Sequence, residues 1–185
     1  MKRHTNPVDP RAAGMVTRYH TWPLVRKQQV NEHTWNALRI LLTIAPDYCG
    51  YDVVAWGVVH DLGEYDAGDM PHSAKKANPV LAERLEEVES SARLKLLSKW
   101  EMRVPHPTHL ELMLFKYSEL LEMWEFGLEE IESGCVHGRG IRDNAMSAAE
   151  EIFGMLPESV QESARRYIAR RLATHQKNME NENYA

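Results

Sequence analysis

The pattern of apolar and polar positions is helical along almost the whole chain. Leu38, Leu41, Leu42 and Ala45 recur at helical spacing, which predicts a helix over Asn31–Ala45, with Asn31 at its first turn and Pro46 as its stop. A first helix is expected near Arg11–Tyr19, broken by His20-Thr21-Trp22-Pro23. A third is expected over Tyr51–Glu64. Val53, Val54, Trp56, Val58 and Val59 surround it almost completely, as in a central, buried helix, and Gly57 would admit a close neighbour. The stretch Tyr65–Pro79 is rich in breakers and polar groups and reads as a loop, with a short helix at Ser73–Ala77. Two long helices follow, Val80–Trp100 and Thr108–Ser133, separated by Val104-Pro105-His106-Pro107. After the loop Ser133–Gly140, helices over Ile141–Met155 and Pro157–His175 complete the pattern. Alternating apolar runs are absent, so the expected fold is an all-α, single-domain helical bundle. It spans residues 15–178, between a polar arm (1–14) and a frayed polar tail (179–185).

Composition narrows the class. The chain has 185 residues, 43% hydrophobic and 26% charged, as for one soluble globular domain. A net charge of −5 disfavours a nucleic-acid-coating protein, which needs a basic face. It leaves room for a small anionic substrate met by a few cations. The two cysteines, Cys49 and Cys135, form no CxxC motif, and a reducing cytoplasm is the expected compartment. No apolar run reaches the roughly 18 residues of a membrane span, and the start of the chain lacks the apolar segment of a signal peptide. Leu112, Phe115, Met123, Trp124 and Phe126 lie on more than one face of the helix over Thr108–Ser133, which suggests a homo-oligomer, dimer or hexamer.

The chemistry gathers at His33 and at His60-Asp61. Asp61 follows an apolar helix, and an unpaired buried carboxylate costs several kcal/mol. Two arrangements satisfy it: a divalent metal shared with His33 and His60, or a buried Asp–His hydrogen bond. Glu64 and Asp69 crowd further carboxylates onto the same helix end. Like charges so close call for a cation or a proton between them, which favours the metal. Glu64, one turn after His60, is placed to serve as acid or base. Arg18, Lys75, Lys76 and Arg26 offer positive charge for a phosphate. The five tryptophans fit a core better than a base-stacking platform.

The residues Trp22-Pro23-Leu24-Val25-Arg26, Glu32-His33, His60-Asp61 with Glu64, Gly68-Asp69 and Pro71, Lys75, and Phe115-Lys116-Tyr117-Ser118-Glu119 together resemble the HD-domain phosphohydrolases. The resemblance is to the branch of YfbR-like 5'-deoxynucleotidases and their phage triphosphohydrolase relatives, over roughly residues 15–135. It implies a helical bundle holding one divalent ion (Co, Mn, Zn or Mg) through His33, His60, Asp61 and a fourth ligand, Glu119, where the family has aspartate. It implies Glu64 and Asp69 as catalytic acids or bases. Arg18, Trp22, Lys75 and Lys76 would contact a deoxynucleotide, with Trp22 against the deoxyribose. In the bacterial branch an arginine directly precedes that tryptophan, where Thr21 stands here. The expected reaction is metal-assisted attack of water on a deoxynucleotide phosphate. The first expectation is a nucleotidase acting on monophosphates. The alternatives are a triphosphohydrolase and a non-enzymatic helical module with a degenerate site. No nucleic-acid or membrane partner is expected.

Overall fold

The computed structural model describes residues 10–182. Its helices are α1 (Pro10–Ala13), α2 (Val30–Ile44), α3 (Tyr51–Val59), α4 (Glu64–Ala67), α5 (His72–Ala77), α6 (Pro79–Lys99), α7 (His109–Glu132), α8 (Gly138–Phe153) and α9 (Glu158–Glu182). The fold is all-α. Among the described residues, β pairing is confined to one antiparallel bridge, Thr17 with Gln29.

Local chemistry sets most of the helix ends. Pro46 stops α2 at Ile44. Asn78 accepts a hydrogen bond from the Leu81 N–H to start α6, with Pro79 in its first turn. Thr108 and Glu111 form a reciprocal capping box at the start of α7.

The helix at the centre of the bundle is α7, not α3. Its Leu114, Phe115, Tyr117 and Leu121 are buried with Ile40, Leu41 and Ile44 of α2, Val53 of α3, and Val160 and Ala164 of α9. Trp124 and Leu128 pack against Ala145 of α8. The apolar faces of α7 are therefore largely covered within the chain, and they no longer argue for an oligomer. Crossing α8 requires glycine. A Cβ on Gly127 would come within 2.6 Å of the Arg142 nitrogen, and one on Gly138 within 2.6 Å of the Gly127 oxygen. In α3 one side stays open, with Val58 46% exposed.

Four other expectations are corrected. The helix over Arg11–Tyr19 is only the single turn α1, after which the chain extends as a strap into the Thr17–Gln29 bridge. Helix α2 begins at Val30, and Asn31 lies inside it, its side chain accepting from the Glu32 N–H rather than capping. The α-helical hydrogen bonding of α3 ends at Val59, and His60–Gly63 is a 3-10 turn. The polar tail continues α9 as far as Glu182, held in part by Asn178, which donates to Glu132 at 2.9 Å. Of the expected arm, 1–14, residues 1–9 lie outside the described residues, as do 183–185 of the expected tail.

Candidate metal centre

The 3-10 turn displays the His-Asp pair. The Arg93 guanidinium lies over the Trp56 ring at 4.7 Å and donates to the His60 carbonyl at 3.0 Å. That bond ties the 3-10 turn to α6. Behind the turn, Gly63 lets the backbone of α6 approach: a Cβ there would stand 2.3 Å from the Glu89 carbonyl oxygen. Helix α2 contributes His33 and α7 contributes Glu119. One ligand atom each from His33, His60, Asp61 and Glu119 lies within 4.8 Å of the others. His60 Nε2 is 3.1 Å from both Asp61 Oδ1 and Glu119 Oε1, and His33 Nε2 is 3.5 Å from Glu119 Oε1.

The remaining ring nitrogens are committed elsewhere. His60 Nδ1 donates to the Gly57 carbonyl at 2.8 Å, and His33 Nδ1 donates to Glu122. In a neutral ring, each Nε2 then carries the lone pair, facing the carboxylates. That is the usual outer-shell arrangement of metal-binding histidines. The donor set of two imidazoles and two carboxylates suits zinc and the neighbouring divalent metals, so the residues fit such an ion.

Charge balance agrees. Burial lowers the His60 pKa, but Asp61 and Glu119 outweigh it and push it up to about 10. Burial and Arg18 lower His33, while Glu122 and Glu119 raise it, and its pKa ends above the ordinary value. Burial raises Asp61, yet His60 and Arg18 bring it well below the usual carboxylate range. Glu119 is likewise low, because Lys116, His33 and His60 outweigh its burial. The cluster therefore demands positive charge, which protons or a divalent cation can supply.

An open cavity of about 310 Å³ borders the cluster, lined by His60, Asp61, Glu119, Glu64, Lys75, Glu89, Arg93 and Lys116 among others. Glu64 is 6% exposed, and its Oε2 is buried without a hydrogen-bond partner. Burial first, then the charge of Asp61, raises its pKa to about 8. Asp69 lies close enough to add to that rise, and its Oδ2 accepts the Tyr19 N–H at 3.1 Å.

The cations expected to meet phosphate are placed differently from one another. Arg18 reaches Asp61 at 3.0 Å with its Nε buried and unpartnered. Lys75 lines the cavity, 3.3 Å from Glu89. Lys76 is exposed on α5 and does not line it. Arg26 is engaged with Glu32 at 3.1 Å and Glu129 at 2.6 Å. Trp22 is 37% exposed and rests on α8, where a Cβ on Gly140 would come within 3.2 Å of its ring. Its loop is pinned by the buried Glu130, which accepts the Val25 and Arg26 N–H groups at 2.8 and 3.0 Å. Trp35, expected in the core, is 71% exposed.

Sequence reasoning missed Arg93, Lys116, Glu89 and Glu122. For Glu122 a signal existed: Glu119 and Glu122, three residues apart, share one face of an apolar helix.

A helical bundle presenting two histidines, an adjacent aspartate and a fourth carboxylate around one point defines the class of HD-domain, metal-dependent phosphohydrolases. The family model for YfbR-like 5'-deoxynucleotidases matches residues 13–123, and the chain belongs to that family. It is a metal-dependent hydrolase of deoxynucleotides. The fold is shared with a solved structure, the cyanophage S-2L HD phosphohydrolase (DatZ) bound to dA and one catalytic Zn²⁺ ion. The two agree with a TM-score of 0.67 over 91% of this chain and 95% of that chain, at 18% identity. Comparison with curated proteins gave no match. Among the described residues, no helix is long and apolar enough to cross a membrane.

Proposed function

We propose that the protein removes phosphate from 2'-deoxynucleoside 5'-monophosphates, with a Co, Mn or Zn ion held by His33, His60, Asp61 and Glu119. The observation that carries this reading is the convergence of four ligand atoms within 4.8 Å beside an open cavity, in a chain of this family. Such an ion supplies a Lewis acid for the phosphoryl group and makes a water acidic enough to attack at neutral pH.

The chain's own residues do the rest. Glu64, buried beside the cluster with its Oε2 unpartnered, carries a proton to the leaving oxygen. Asp69, close to Glu64, joins the proton traffic. Lys75 reaches the phosphate from the cavity wall. Arg18, beside Asp61, holds the phosphate oxygens nearest the cluster. The family resemblance assigns Trp22 to the deoxyribose; it rests against Gly140 of α8, outside the lining of the cavity.

A second reading, a deoxynucleoside triphosphohydrolase, is favoured by the cations around the cavity. Besides Lys75 it carries Arg93 and Lys116, enough to meet a longer phosphate chain. Ion-exchange analysis of products from deoxy- and ribonucleoside mono- and triphosphates separates the two. Deoxynucleoside plus orthophosphate from monophosphates supports the first reading. Deoxynucleoside plus intact triphosphate replaces it with the second.

A further inference from the structure

We propose that Glu122 and Gln28 are positioning residues of the metal centre: Glu122 fixes the ring of His33, and Gln28 holds Glu122. The inference rests on the reading that His33, His60, Asp61 and Glu119 hold a metal ion. It assigns an outer shell that the ligands alone do not require.

His33 is 0% exposed, and its Nδ1 donates to Glu122 Oε2. That bond selects the tautomer with the Nε2 lone pair free and keeps Nε2 turned toward Glu119. Glu122 is 2% exposed, and its other oxygen accepts from Gln28 Nε2 at 2.6 Å. Gln28 is itself 1% exposed, and its Oε1 is buried with no partner. An unsatisfied buried amide oxygen is costly, and packing alone would be served better by an apolar side chain. The amide N–H instead meets the Glu122 carboxylate.

Gln28 also closes a circuit around the site. Its backbone oxygen accepts the Arg18 N–H at 2.9 Å, and the Arg18 side chain reaches the ligand Asp61 at 3.0 Å. The strap from Val16 to Val30 thus touches the ligand set at two points, through Arg18 on Asp61 and through Gln28 and Glu122 on His33. Loss of either arm loosens one ligand while leaving all four ligands in the chain.

The test is calorimetric titration of Co²⁺ into chelator-stripped protein, paired with thermal unfolding of the same stripped samples. The proteins are wild type, Glu122→Gln, Glu122→Leu, Gln28→Leu and His60→Ala. Outer-shell partners of metal ligands are worth about 10–100-fold in affinity. The Leu variant at 122 is expected to lose about that much, and the Gln28 variant less. Glu122→Gln keeps an acceptor for His33 but no charge, and is expected in between. If the Leu variant does not fold, Glu122→Gln, close to wild type in shape, carries the test with an expected loss of about tenfold. Folded Glu122 variants that bind Co²⁺ as tightly as wild type overturn the proposal. So does a lowered melting temperature with unchanged affinity, which would make the pair structural only. Failure of the underlying reading looks different: wild type takes up no Co²⁺, or His60→Ala binds it undiminished.

Discussion

Replacing Gly63 by alanine tests how the fold holds the His-Asp pair in place. The added Cβ would stand 2.3 Å from the Glu89 carbonyl oxygen and 2.6 Å from both its carbonyl carbon and its Cα. All three are backbone atoms of α6, so no side-chain rotation relieves the contact. Real Cβ atoms essentially never approach closer than 3.0 Å, so in a close-packed interior the turn and α6 must part by about 0.7 Å or more. Overpacking of this kind costs about 1–3 kcal/mol. For a chain of this size that lowers the melting temperature by about 2–12 °C. The turn carries His60 and Asp61, and α6 carries Arg93 on the His60 carbonyl. Displacement approaching 1 Å at a reacting centre can cost about 100-fold in rate. The assay pairs thermal unfolding with steady-state phosphate release at saturating Co²⁺. Gly154→Ala is the control, because a Cβ there meets nothing within 4 Å, and it should change neither reading appreciably. A Gly63→Ala protein with wild-type melting temperature and rate would refute the argument that backbone contact with α6 sets the position of the pair.

Three further outcomes follow from the same geometry. His60→Ala should abolish both metal binding and turnover, whereas Glu64→Ala should bind metal normally and lose turnover. Full activity in the Glu64 variant would remove it from the chemistry. The folded-state pKa of Glu64, about 8, is raised above its ordinary 4.5. Its stabilising contribution is therefore complete below the unfolded value and lost as pH rises through the folded one. Relative to wild type, chelator-treated Glu64→Gln should gain up to about 1.4 kcal/mol per pH unit between about pH 5 and 8. Urea unfolding across that range measures the gain, and a flat difference would contradict it. Tyr167 of α9 donates to Glu125 of α7 at 2.6 Å and accepts from Arg39 of α2 at 3.1 Å. Tyr167→Phe should cost about 1–2 kcal/mol in denaturant unfolding, and no loss would mean that this tie contributes little.

The periodic parts of this fold are legible in the sequence. Helices α6 and α7, expected over Val80–Trp100 and Thr108–Ser133, form over Pro79–Lys99 and His109–Glu132, because caps and breakers act over a few residues. The strap between α1 and α2 was not legible as such. Its extended path depends on the Thr17–Gln29 bridge and on tertiary anchors such as Glu130, more than one hundred residues away. The 3-10 turn at His60 is likewise held by a distant group, the Arg93 guanidinium on the His60 carbonyl. Similarly, apolar residues all around α3 suggested the central helix, whereas the many-sided face of α7 suggested an oligomer. Composition around a helix reports how much it buries, not which neighbours cover it. His33, His60, Asp61 and Glu119 stood out in the sequence, and the structure brings them together. Glu122 was open to the argument that had flagged Asp61, a carboxylate in an apolar helix that needs a donor, but only the structure supplies the donors, His33 and Gln28.

In the proposed reaction, one divalent ion held by His33, His60, Asp61 and Glu119 drives deoxynucleotide hydrolysis. This is tested most directly by stripping the protein with chelator, reloading it with Co²⁺, and measuring bound cobalt and product release together. One cobalt per chain, no turnover before reloading, and restored release of deoxynucleoside, with the ribonucleotide left intact, are the expected results. Undiminished turnover in the stripped protein, or cobalt bound with no hydrolysis of any deoxynucleotide, would contradict the proposed reaction.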